Sequence, residues 1–296
     1  MRHLYIIGNG FDIFTGLRTR YVDFQHWLQN NYPFIYENMV VAYDIKGEWW
    51  NDFEVQLGKL NVKQYVKKFS PSDKPFEEIL KETSERRAFE KKYKLPPSMH
   101  GSHCARRLRG LLDVLHYCFE KWICHCQKTI TDTKYINIEI EDSYFINFNY
   151  TDVLQWLYHI PKDNVLHIHG RASTKDHLIF GHNSLLLGGD SKDEEEINFE
   201  LHKYEKNPYQ YIFKYDELPV IIKDVEFVHI YGFSFSPVDI DYIDWIYHHT
   251  PNKSQWEVSW FTDQDKYRVD SFLQDHWDLR SRLQLIRLDD IKVERN

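Results

Sequence analysis

The sequence predicts an α/β protein: a doubly wound, mainly parallel sheet carrying a helical insertion. Three observations point there. Short apolar runs rich in β-branched and aromatic residues alternate with helical stretches at both ends of the chain. A strand over residues 3–7 runs directly into Gly8-Asn9-Gly10. Finally, Gly8, Asn149, His169, Gly181 and Gly232 each fall at or just after the end of a predicted strand. In open α/β sheets that edge is where ligands sit.

Taken in order, the strand at 3–7 and its glycine turn lead to a helix through "YVDFQHWLQNNY". In "WWNDFEVQLGKL", Trp50, Phe53, Leu57 and Leu60 recur at helical spacing. Residues 61–132 read as a helical insert. It comprises a charged helix, "KPFEEILKETSERRAFEKKYK", a break at "PPSMH", and a longer buried helix, "CARRLRGLLDVLHYCFEKWICHCQKTI". Beyond it, "YFINFNY", "VLHIHG", "HLIFGHN", "FVHIYGFS", "WEVSWFT" and "RLQLIRL" read as strands. The intervening "TDVLQWLYHI", "VDIDYIDWIYHHT" and "DKYRVDSFLQDHW" read as helices. The acidic, glycine-bearing stretch 188–196, "GGDSKDEEE", reads as a mobile loop.

Composition excludes some classes. The 296 residues carry 37 basic and 45 acidic side chains, a net charge of −8, which argues against non-specific nucleic-acid binding. The 42% hydrophobic content allows a sizeable core. Four cysteines without a C-x-x-C pair suggest reduced thiols in a cytoplasmic protein rather than a disulfide framework. No apolar run has the length of a membrane span, and the N-terminus lacks a signal-peptide pattern.

Four motifs carry candidate chemistry. A turn such as Gly8-Asn9-Gly10 lets backbone N–H groups approach a phosphate, or serves as a plain tight turn capped by Asp12. Asn147 and Asn149 share one side of a strand, where an amide can hold a water or a sugar hydroxyl. They equally suit an Asx turn leading into the next helix. His167 and His169 share a face, and the glycine after His169 leaves room beside an imidazole that can act as general base. Gly232-Phe233-Ser234 places a hydroxyl where it can bond a ribose or phosphate oxygen, without the G-x-S-x-G nucleophile elbow. A metal site on His167, His169 and His182 is the rival reading, but no carboxylate sits beside those motifs.

The order glycine turn, Asn149-Tyr150, His169-Gly170, Gly232-Phe233-Ser234 resembles the sirtuin-like NAD-binding pattern. More closely, "IIGNGFD", "WWNDFE", "FNYTD", "HIHG", "FGHN" and "GFSFSP" resemble the AbiH family of phage abortive-infection proteins. The resemblance implies a Rossmann-like nucleotide-binding domain over 1–60 and 133–296, with 61–132 inserted. It implies an NAD-type dinucleotide as substrate, no required cofactor, and cleavage of the nicotinamide–ribose bond. By the resemblance His169 matches the general base, and Asn149 the residue positioning water or ribose. Gly8, Gly10 and Phe11 match the dinucleotide turn, and Gly232 and Ser234 the ribose or phosphate contacts, with Asn9, Asp12 and Asn147 as further expected cofactor-binding residues. Asp12 stands where a serine is expected, and is expected to face a ribose hydroxyl or a base. The sirtuin cysteine quartet is missing, which argues against protein deacylation. Homo-oligomer contacts and response to a phage-derived trigger are assigned to the insert. A non-catalytic nucleotide sensor on the same fold and a histidine-metal hydrolase or nuclease are the alternatives. The glycohydrolase mechanism requires the motifs to converge on one cleft, with the His169 ring facing it.

Overall fold

The structure, a computed structural model, describes residues 2–71, 81, 83–85, 87–88, 91–93, 101–130, 133–174, 177–184, 188–212, 214–291 and 293–294. The main strands are β1 (His3–Ile7), β2 (Ser143–Asn147), β3 (Val165–His167), β4 (Phe227–Tyr231), β5 (Gln255–Ser259) and β6 (Leu283–Ile286). The helices used below are α1 (Asn9–Phe14), α2 (Tyr21–Asn31), α3 (Pro33–Tyr43), α4 (His103–Lys128), α5 (Lys192–His202), α6 (Ile240–His249) and α7 (Asp263–Asp275). Residues cluster into two compact units. The first comprises 1–20, 123–179 and 207–296; the second comprises 21–122 and 180–206. Residues 21–60 and 180–206, grouped with the sheet in the sequence reading, thus fall in the second unit.

The first unit holds a six-stranded sheet in the order β3-β2-β1-β4-β5-β6. Every neighbouring pair is parallel. The strand order reverses beside β1, which makes the gap between β1 and β4 the topological switch point. Parallel strands covered on both faces read as near-continuous apolar runs, and β1 does so. Leu4 and Ile6 join Val228, Ile230, Trp256 and Val258 in the main core, with Tyr242, Ile246, Val269 and Phe272 of α6 and α7. On the opposite face Tyr5 stacks on Phe145 at 4.8 Å and on His229 at 4.4 Å. Because α6 and α7 return the chain to the start of the next parallel strand, their C-terminal ends lie at the amino edge of the sheet.

The second unit is helical. Its core is aromatic: the Phe24 ring meets Trp50, Phe53 and Phe119 edge-on, with centroids 5.9, 5.8 and 5.3 Å away. Leu108, Leu115, Phe119 and Trp122 recur at helical spacing along α4 and are buried, which keeps this 26-residue helix continuous. The second unit also holds a buried ion pair. Lys206 Nζ is 2.8 Å from Glu54 Oε1, with side chains 2% and 10% exposed. Glu54 also accepts the Gly181 N–H at 3.3 Å.

Several expectations are corrected. Residues 188–196 are not simply a loop: Ser191 caps α5 by accepting the Glu194 N–H, and Asp193, Glu194 and Glu195 suit the positive end of that helix. "HLIFGHN" forms no sheet strand; it makes a single bridge, His182 to Glu205. Gly181 lies so close to the Tyr204 carbonyl that a side chain would collide with it. "WWNDFEVQLGKL" is a 3₁₀ turn, Trp49–Asp52, followed by a helix of only five residues. Helix α3 was not foreseen, because Pro33 hides its start; proline is well placed in a first helical turn. The helix expected over 74–94 falls largely, and the break at 96–100 wholly, outside the described residues.

Glu54→Ala strips the carboxylate from a buried ammonium and is expected to destabilise the protein by about 3–5 kcal/mol. The double change Glu54→Leu with Lys206→Met should cost less than the single one. Urea unfolding midpoints of the three proteins check this.

Candidate functional site at the carboxyl edge of the sheet

The first turn is bare because another backbone lies against it. Gly8 N–H donates to the Tyr231 carbonyl at 2.9 Å, and Gly10 N–H to the Gly232 carbonyl at 2.7 Å. A Cβ on Gly8 would come within 2.6 Å of the Gly232 carbonyl oxygen, and one on Gly10 within 2.8 Å of the Gly232 Cα. Gly232 itself has φ +64°, and a Cβ there would collide with the Phe11 nitrogen. The Gly232 N–H is taken by Ser259 Oγ at 2.8 Å. The two glycine turns therefore close on each other at the switch point. Any ligand there meets their outer surface, where Asn9 and Ser234 are exposed.

Below that surface lies a polar clasp. Asp12 is 1% exposed. One carboxyl oxygen accepts from Asn149 Nδ2 at 2.9 Å and the other from Thr151 Oγ1 at 2.7 Å. Asn149 Nδ2 also bonds the Gly8 carbonyl at 3.1 Å, and its own N–H donates to Asn147 Oδ1 at 3.0 Å. The clasp ties the loop after β1 to the loop after β2. Burial pushes the Asp12 carboxyl up to about 7, against the pull of the two hydrogen bonds. Asp12 thus turns inward, instead of facing a ribose hydroxyl or a base.

His169 lies past the end of β3 and is 1% exposed. Phe148 and Tyr242 meet its ring edge-on at 5.2 and 5.5 Å, and Tyr150 stacks at 6.2 Å. Its Nε2 is 3.6 Å from Asp239 Oδ1. The expectation that this ring faces an open cleft is therefore corrected: in this conformation it is enclosed by aromatic side chains. Nor do His167, His169 and His182 present themselves as ligands. His167 Nε2 is 2.9 Å from Gln155 Nε2, and its Nδ1 is 3.3 Å from the Asn149 carbonyl. His182 belongs to the second unit, where its Nε2 meets the Leu201 carbonyl at 3.1 Å and its Nδ1 accepts from Ser184 N–H.

The structure thus brings Gly8, Gly10, Phe11 and Gly232 into one backbone contact, and Asp12, Asn147 and Asn149 into one clasp. Phe11 is buried against Tyr158 at 5.5 Å. Asn9 Nδ2 bonds the Thr19 carbonyl at 2.7 Å. Sequence reasoning noted Thr151 only as standing where an aspartate usually follows the Asn-Tyr pair, and missed Asp239, Arg171 and Arg268. Arg268 brings positive charge to this edge and donates to the Ser234 carbonyl at 3.2 Å, whereas the charge of Arg171 is paired with Asp152, which also accepts from Ser173. Only Arg171 had a local signal, directly following His-Gly.

A six-stranded parallel sheet whose order reverses beside its first strand, with glycine turns meeting at that reversal, defines a Rossmann-like α/β protein. Residues 4–260 match the family described as "Bacteriophage abortive infection AbiH", and the chain belongs to that family. Membership implies a role in phage abortive infection. No curated protein matches the chain. Among the described residues, no helix is long and apolar enough to cross a membrane.

Gly232→Ala is expected to destabilise by at least about 2 kcal/mol, from left-handed backbone strain and the clash with Phe11, read as a lowered thermal midpoint. Between pH 3.8 and about 7 the folded chain keeps a proton on Asp12 that the unfolded chain has released. The stability contributed by neutral Asp12 is complete below that window and is lost as pH rises through it. The span corresponds to at most about 4 kcal/mol. Asp12→Asn, whose amide can still donate to Thr151 Oγ1, should remove this part of the pH dependence. Urea titrations at pH 5 and pH 8 compare the two proteins.

Proposed function

We propose that this abortive-infection protein binds an NAD-type dinucleotide at the carboxyl edge of its sheet and, once triggered, hydrolyses the nicotinamide–ribose bond. The observation that carries the proposal is the switch point between β1 and β4, where the Gly8–Gly10 and Gly232 turns meet. Sheets of this order take dinucleotides in the crevice outside that reversal. Arg268 supplies positive charge at the same edge for a pyrophosphate, and Arg171 can do so by releasing Asp152.

The bond to be cut joins ribose to a pyridinium that departs neutral, so no strong acid is required. Charge builds on the sugar as an oxocarbenium-like state. His169 is the proposed base for the attacking water, with Asn149 holding that water or a ribose hydroxyl. For this, the rings of Phe148, Tyr150 and Tyr242 must part from His169, and Asn149 must release Asp12 or the Gly8 carbonyl. The enclosed arrangement is then a quiet state, which suits a toxic activity held back until a phage-derived trigger arrives. Self-association is part of the same proposal.

A second reading, a nucleotide sensor without catalysis, is favoured by the same burial of His169 and by the engagement of the Asn149 amide within the clasp. Incubation of the protein with NAD and with NADP, alone and in extracts of infected cells, separates the two. The expected outcome is nicotinamide release that falls by about 10²–10⁴-fold in a folded His169→Ala variant. Binding of intact dinucleotide without release would select the sensor. Neither binding nor release under any of these conditions would reject both.

A further inference from the structure

Three ligand-type side chains gather at the amino edge of the sheet, opposite the glycine turns. Asp244 and His248 lie one turn apart on α6, at i and i+4, so they share a face of that helix. His276 follows the last residue of α7. The ligand atoms of the three all lie within 4.8 Å of one another. Asp244 Oδ1 is 2.9 Å from His276 Nε2 and 3.6 Å from His248 Nε2.

The His276 ring is held in one orientation. It stacks on Phe272 at 4.1 Å and meets Tyr247 edge-on at 4.3 Å. Its Nδ1 is 2.9 Å from the Phe272 carbonyl oxygen. A carbonyl only accepts, so Nδ1 carries the hydrogen and Nε2 is the nitrogen turned toward Asp244. An imidazole whose far nitrogen donates to a backbone carbonyl is the arrangement that orients a metal-bound histidine. Nε2 and a carboxylate oxygen at this distance repel unless a cation joins them, either a second ring proton or a metal ion. Helices α6 and α7 both end here, and helix C-termini favour positive charge.

We infer that Asp244, His248 and His276 form a binding site for a divalent cation of the zinc type. Two imidazoles and one carboxylate suit zinc better than magnesium or calcium, which prefer oxygen alone. Three protein ligands leave a position for water. Ligand atoms sharing a tetrahedral zinc lie about 3.3 Å apart, so the 3.6 Å pair is close to that spacing and the 2.9 Å pair opens by a few tenths. Buried His276 is the fixed ligand. The His248 side chain is 61% exposed and that of Asp244 38%, so both can adjust without disturbing the core. Neighbouring Asp278 is engaged with the Tyr247 hydroxyl and Arg282. The ion clamps α6 to the end of α7 and takes no part at the carboxyl edge.

The test uses the full chain, stripped with chelator and titrated with Co²⁺ or Zn²⁺ alone. One equivalent of Co²⁺ should give visible d–d absorption. Zn²⁺ at about 100 times its dissociation constant should raise the thermal midpoint by about 5 °C. His248→Ala, altered at a mostly exposed position and checked for fold by circular dichroism, should lose both signals. Asp244→Asn should weaken binding by at least about tenfold. Absence of both signals in the native chain up to millimolar metal overturns the assignment. So does a His248→Ala variant that keeps the native stoichiometry and shift.

Discussion

The carboxyl edge depends on one close approach of two backbones. Where β1 and β4 end, the chain after each strand must turn away, and both turns occupy the same small space. Gly8 and Gly10 give their N–H groups to the carbonyls of Tyr231 and Gly232, and no side chain fits between them. Gly232 meets the demand with a positive φ that other residues adopt only under strain. The contact fixes where Phe11, Asp12, Phe233 and Ser234 emerge from the sheet.

The clasp beneath depends on that contact. Asp12 can reach Asn149 and Thr151 only because α1 starts directly at the glycine turn. A buried carboxyl accepting two hydrogen bonds would normally ionise well below neutral pH, yet complete desolvation outweighs those bonds and pushes this one up to about 7. The polar residues of "IIGNGFD" and "FNYTD" therefore form one internal network, and only the outer rim of the edge remains for a ligand. "WWNDFE" and "FGHN" build a different buried network in the helical unit, where Glu54 meets both Gly181 and Lys206. Asp12, Asn149, Thr151 and Glu54 are thus interior residues, bonded to partners distant in sequence.

The two edges of the sheet differ in kind. At the carboxyl edge, loops lie over a closed backbone contact, with arginines at its margin. At the amino edge, the ends of α6 and α7 bring together histidines and a carboxylate from helix surfaces. Parallel topology produces this separation: every strand starts at one edge and every loop that follows a strand gathers at the other.

By itself the sequence determined the fold class, most strand positions and the chain segments that meet at the carboxyl edge. Those follow from local patterns: apolar strands, helical periodicity and glycines at strand ends all act through neighbouring residues. It could not determine which way the polar side chains face. Asn149 and His169 have the same local context whether they line a cleft or fill the interior, and only packing by Phe148, Tyr150 and Tyr242 decided for His169. Likewise "HLIFGHN" has strand composition, but the Tyr204 carbonyl lies against Gly181 and the segment forms one bridge instead of joining the sheet. Tertiary structure alone paired Glu54 with Lys206 and Asp244 with His276, because burial and long-range proximity leave no periodic trace in a single chain.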